Sequence, residues 1–206
     1  MGNKRGFSLI EIIFVIAILA IVGSMIIPKN NLSKLDLATK KIITYLNYTR
    51  YIAHIDNKFD INDKEWEKKR WTLKFQNCSN SQDGIYFTIY SDTDGGTAHY
   101  KKSDCLKDPT TNKYLYTTYS CQPKADESQY TLLTKKFGVV KVEVSCNTTS
   151  TIGQISFGYD GKIYSSLGEN IKQITSPCKI TLFDRKGRSK TIQIEPNTGY
   201  IHKGEL

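Results

Sequence analysis

Residues 4–27 read KRGFSLIEIIFVIAILAIVGSMII, and this stretch decides how the rest of the chain is organised. From residue 7 to residue 27 it holds one ionisable side chain, Glu11. As a helix rising about 1.5 Å per residue, the run is roughly 30 Å long, enough to cross the hydrocarbon core of a bilayer. Lys4 and Arg5 stand just before it, which predicts that the short leader stays cytoplasmic and the C-terminal bulk faces the other side. A secretory signal is cut after its apolar region, among small residues, but residues 24–29 offer no A-x-A site. The small residue lies ahead of the run instead. Cleavage after Gly6 would leave Phe7 as the new N-terminus, with the apolar segment still attached. Glu11 is an expensive residue for such a segment. An ionised side chain at the bilayer centre costs about 2.5–3.5 kcal/mol on insertion scales, less near a helix end, and so usually has a partner.

Beyond the apolar run, Pro28 removes a backbone donor and crowds the preceding turn, so a bend is expected there. Leu35, Ala38, Ile42, Tyr45, Leu46, Thr49 and Ile52 then recur at steps of three and four, with Lys34, Lys40, Lys41 and Asn47 between them. That spacing predicts an amphipathic helix, and with the apolar run it suggests one long helix over about residues 7–55. After a charged connector the pattern changes to alternation. Strands are expected at 71–75, 85–90, 139–144, 154–159, 179–183, 191–195 and 200–202. Asp94-Gly95-Gly96, Asp160-Gly161 and Lys186-Gly187 carry the chemistry of tight turns between neighbouring strands. Residues 103–129 show no sustained period and read as a long loop pinned by a disulfide. The fold class is therefore α+β: a leader (1–6), an apolar half-helix (7–28), an amphipathic half-helix (29–55) and an antiparallel β-rich head (56–206).

The chain of 206 residues has a formal charge of +9, which falls to +7 if Lys4 and Arg5 are removed with the leader. This excess favours association with polyanions or anionic lipid surfaces without naming a ligand. The five cysteines, Cys78, Cys105, Cys121, Cys146 and Cys178, form no CxxC pair. Disulfides in an oxidising compartment suit them better than zinc, with one thiol left over. Spacing does not fix the connectivity. The pairing preferred here is Cys105 with Cys121 and Cys146 with Cys178, because each pair brackets one connected stretch.

KRG|FSLIE resembles the prepilin signature of type IV pilins and type II secretion pseudopilins, with Gly6, Phe7 and Glu11 at the matching positions and Pro28 at the usual helix kink. The resemblance implies that a membrane aspartyl protease cuts after Gly6 and methylates the amine of Phe7. It also implies that Glu11 receives the N-terminal amine of a neighbouring subunit during assembly. The implied partners are other pilin or pseudopilin subunits, the prepilin peptidase/methyltransferase, an inner-membrane assembly platform and membrane lipid. The implied location is the bacterial inner membrane, single-pass with a periplasmic head, from which the subunit enters a pilus or pseudopilus. The C-terminal third is similar to the end of the GspH/FimT-type pseudopilin head, where Phe157, Gly161, Gly187 and Gly199 fill the corresponding places.

Some FimT-like minor pilins bind DNA in natural transformation through a glycine-arginine motif near the last hairpin. Here the last turn has no arginine, although Arg185, Lys186, Arg188 and Lys190 cluster at the turn before it. Flexible cations exposed together could contact phosphates there. A solvated hairpin tip is the preferred reading. Asp92 and Asp94 in SDTDGG suggest a calcium loop, but the twelfth position counted from Asp92 is Ser103, so a hairpin turn is preferred and no metal is assigned. His54, His99 and His202 belong to no catalytic motif, and neither an enzymatic activity nor a cofactor is expected. An adhesin-like tip subunit presenting the 103–129 segment is the remaining alternative.

Overall fold

The computed structural model describes residues 8–26, 33–79, 84–93, 100–167 and 171–204, which divide into two compact units, residues 1–32 and 33–206. The described residues of the first unit form the helix α1 (Leu9–Ile26). The expected bend at Pro28, and with it the continuity of a helix over 7–55, lies outside the described residues.

The second unit begins with α2 (Lys34–Ile55). A capping box starts it. Ser33 Oγ accepts the Asp36 N–H at 3.1 Å, and Asp36 Oδ2 accepts the Ser33 N–H at 3.3 Å. These bonds satisfy donors that the first helical turn leaves without intrahelical partners. The expected stripe is the buried one: Leu35, Ala38, Ile42, Tyr45, Leu46 and Thr49 are all buried, Ile52 is half-buried and Ala53 completes the face.

The rest of the unit forms two antiparallel sheets. The first has the order β2-β1-β4-β5-β6 from β1 (Trp71–Asn77), β2 (Ile85–Tyr90), β4 (Gly153–Phe157), β5 (Ile163–Ser166) and β6 (Lys172–Gln173). The second has the order β3-β7-β8-β9 from β3 (Val139–Val144), β7 (Cys178–Asp184), β8 (Ser189–Ile194) and β9 (Ile201–Lys203). Each of the seven expected strands is present, two with the expected bounds and the others within two residues at either end. Among the described residues, β5, β6, the short helix α3 (Leu133–Phe137) and three single-turn 3-10 helices (Trp66–Lys69, Lys102–Asp104 and Gln129–Thr131) had not been expected.

Strand alternation builds the core. Leu73, Phe75, Phe87, Ile89, Ile155, Phe157 and Ile163 of the first sheet join Val139, Val142, Ile180, Leu182, Ile192 and Ile194 of the second in one cluster beneath α2. The other face of the first sheet is polar yet buried, with Thr72 Oγ1 2.7 Å from Ser156 Oγ and Thr88 Oγ1 2.8 Å from Tyr100 Oη. Two glycines close the sheet junction. Gly161 (φ +83°) and Gly199 (φ +60°) lie back to back, and a Cβ on Gly199 would sit 3.0 Å from the Gly161 carbonyl oxygen. Both the left-handed backbone and the close approach exclude larger residues.

The 103–129 segment is irregular but anchored. Ile89 of β2 donates its N–H to Leu115 and accepts from Leu106, so the excursion continues the sheet edge. Its disulfide corrects the sequence reading: Cys121 is bonded to Cys78, not to Cys105. Cys78 follows β1 and donates its N–H to Gly84, and Ser79 donates to Tyr119, which brings the end of β1 against Cys121. Cys105 instead bridges Tyr90 of β2 as a buried free thiol, and burial pushes its ionisation well above the ordinary thiol range. Cys146 is bonded to Cys178.

Candidate functional site

The first candidate site is the N-terminal segment. Gly6, Phe7 and Pro28 lie outside the described residues, so the geometry begins at Ser8. Glu11 sits in the first turn of α1, where Oε2 accepts the Ser8 N–H at 3.3 Å and the Glu11 N–H donates to the Ser8 carbonyl at 3.0 Å. A carboxylate at a helix N-terminus is favoured by the helix dipole. The carboxylate is exposed, so it remains open to a second donor. Around it, Leu9, Ile10, Ile12, Ile13, Phe14, Ile16 and Leu19 are all exposed. A helix apolar on every side needs an apolar environment or other helices around it. Among the described residues, no helix is long and apolar enough to cross a membrane, and α1 has 18 residues, about 27 Å of helix.

The second candidate is the turn between β7 and β8. All four cations are exposed, but two already have acidic partners. Arg188 grips Asp184 through Nη2 at 2.6 Å and Nε at 2.7 Å, and Lys190 Nζ lies 3.4 Å from Asp36 Oδ1. Partial desolvation alone would raise the Asp184 carboxyl, but the Arg188 hydrogen bonds outweigh it and hold the group below the usual range. Arg185 and Lys186 remain as exposed cations without an acidic partner among the described residues. The turn therefore offers polyanions about half the charge that its sequence suggests.

Of the calcium pair, Asp94 lies outside the described residues, as does the Asp94-Gly95-Gly96 turn. Asp92 is half-buried at the end of β2, and among the described residues no group of three or more His, Cys, Asp or Glu side chains could hold a metal ion. His54 is exposed on α2, His202 sits 3.2 Å from Glu195 on β9, and His99 lies outside the described residues.

One polar centre was missed by the sequence reading. Asp108, 1% exposed, accepts the Tyr45 hydroxyl of α2 at 2.9 Å and the Thr110 N–H at 2.9 Å, and Ser128 Oγ lies 3.4 Å away. Burial pushes its carboxyl up, but the hydrogen bonds from Thr110, Tyr45 and Thr111, with the Lys41 charge nearby, win and hold it below the usual range. This centre ties the long excursion to α2. No periodicity marks a single aspartate in a loop, so only the tertiary contact identifies it.

The family model described as the prokaryotic N-terminal methylation motif matches residues 1–27. No curated protein and no solved structure matches the chain. The matched motif, followed by an α+β head, supports a type IV pilin-like protein. Such a motif implies contact with the pilin-processing machinery and with other pilins.

Proposed function

We propose that the chain is a minor pilin or pseudopilin: a structural and assembly subunit, cut after Gly6, methylated on Phe7 and held in the inner membrane by the apolar segment until it joins a pilus or a type II secretion pseudopilus. The observation that carries the proposal is Glu11, an exposed carboxylate in the first turn of a helix otherwise apolar all round, within the methylation motif. In an apolar bundle that carboxylate requires a cationic partner, and the new amine of a neighbouring subunit would supply one. Residues 56–206 would then form the periplasmic head, where disulfides persist. The GspH/FimT-type assignment draws support from Phe157, Gly161 and Gly199 meeting at one junction.

The test is Glu11→Ala in the native host. Mass spectrometry should still find a methylated N-terminus at Phe7, while incorporation into filaments falls at least tenfold. Normal incorporation would refute the amine pairing. Retention of residues 1–6 by the unaltered protein would refute the cleavage site.

A DNA-binding role in transformation is the second reading, favoured by exposed Arg185 and Lys186. Binding through two phosphate contacts would follow a shallow salt dependence, with a log–log slope of roughly −2. A mobility shift that persists in Arg185→Ala/Lys186→Ala at low salt would exclude this turn as the contact.

A further inference from the structure

Apart from the β7–β8 turn, a group of cations lies where α2 meets α3. Lys34 and Lys41 stand about two turns apart on one side of α2, with the exposed Leu37 between them. α3 packs beside α2 and brings Lys136 to the same place. The Lys41 ammonium lies 4.3 Å from the centroid of the Tyr130 ring, and the Lys136 ammonium lies 5.5 Å from it.

The acidic residues nearby are committed elsewhere. Asp36 is the single acidic residue of α2 and faces Lys190 of β8 at 3.4 Å, and α3 has none. Asp108 feels the Lys41 charge, but it is buried and already accepts from Tyr45 and Thr110. Lys34, Lys41 and Lys136 therefore have no ion-pair partner among the described residues. Ammoniums crowded together repel one another, and an anion from outside relieves that repulsion.

We propose that this face, with Lys34, Leu37, Lys41 and Lys136, docks on anionic phospholipid head groups of the bilayer that holds the apolar segment, drawing the head down to the membrane before assembly. The inference rests on the membrane-anchored reading given above. Only residues 28–33 separate the apolar run from Lys34, so Lys34 is tethered to Ile27 by at most about 25 Å of chain, whatever path it takes. Cations tethered so near an anionic leaflet can come within a Debye length of it, about 8 Å at physiological ionic strength, and a flat leaflet can meet all three together. Leu37 adds an apolar side chain among them, the mixture that interfacial surfaces use. A nucleic acid fits less well. Its bases need open aromatic faces, whereas Tyr130 is half-buried, flanked by two lysines and stacked on Phe137 at 6.4 Å.

The full chain is reconstituted into phosphatidylcholine vesicles, with and without phosphatidylglycerol, and acetylated with a neutral N-hydroxysuccinimide ester. Mass spectrometry then gives the rate at each lysine. Phosphatidylglycerol should slow Lys41 and Lys136 about threefold or more, and should leave Lys64, exposed in the connector beyond the far end of α2, unchanged. Lys34→Gln/Lys41→Gln should abolish the slowing at Lys136, whereas Lys34→Arg/Lys41→Arg should keep it. Should Lys34→Gln/Lys41→Gln fail to fold, about 1 M salt, where the Debye length is about 3 Å, should abolish the slowing in the unaltered chain. A chain that floats with neither kind of vesicle overturns the membrane-anchored reading and the docking with it. Equal rates at Lys41 and Lys136 in two kinds of vesicle that both carry the chain overturn the docking alone. So does an oligonucleotide that slows the same lysines as strongly in phosphatidylcholine vesicles.

Discussion

At the residue scale, the side chains with the clearest consequences are those whose polar groups are committed. Tyr45 and Asp108 meet inside the protein, so replacing Tyr45 with Phe leaves a buried carboxylate one donor short. A hydrogen bond to a charged group contributes roughly 1.5–3 kcal/mol, and Tyr45→Phe should lower unfolding stability by about that amount in urea titration. Cys105 presents the opposite case. It is buried, with its thiol ionisation pushed up, so it should resist alkylation in the native protein and react only after denaturation. Non-reducing peptide mapping should find Cys78 joined to Cys121; a peptide joining Cys105 to Cys121 would contradict the structure.

Among the elements, α2 and the two disulfides hold the head together. Ser33→Ala removes the acceptor that caps α2 and should cost about 1 kcal/mol, read as a lower thermal midpoint with the same native helix content. Cys146–Cys178 spans 32 residues and joins the end of β3 to the start of β7. On the chain-entropy view, a loop of that length contributes roughly 3.5–4 kcal/mol, so the Cys146→Ser/Cys178→Ser protein should unfold at markedly lower denaturant.

On the scale of the whole molecule, acid stability follows from carboxyls held below their ordinary range. Asp108 has a folded-state pKa below its unfolded value, so its contribution is fully present above about pH 4 and is lost as pH falls through the folded value. Thermal midpoints should therefore change little from this group between pH 7 and 5. The gap between the native chain and Asp108→Asn should narrow below about pH 4. A gap that stayed constant down to pH 3 would show that the Asp108 charge adds nothing to folding.

The amino-acid sequence by itself determined the apolar N-terminal segment, the stripe of α2 and seven of the nine strands among the described residues, because hydrophobic periods of 3.6 and 2 are local properties. It also marked Glu11, since a lone charge in an apolar run stands out without any tertiary context. β5 and β6 escaped because four- and two-residue strands are too short to show a period, and α3 because five residues barely exceed one turn. Which cysteine meets Cys121, which cations at the β7–β8 turn are already paired, and which aspartate anchors the long excursion were decided only by tertiary structure. Apart from Arg188–Asp184, four residues apart across one turn, each depends on residues distant in sequence being brought within a few ångströms. Trp66, Arg70 and Tyr159 likewise come together only because Trp71 of β1 pairs with Phe157 of β4, which brings the connector beside the following turn. The open carboxylate of Glu11, read first from sequence, gained from the structure its place in the first turn of α1 and its exposure.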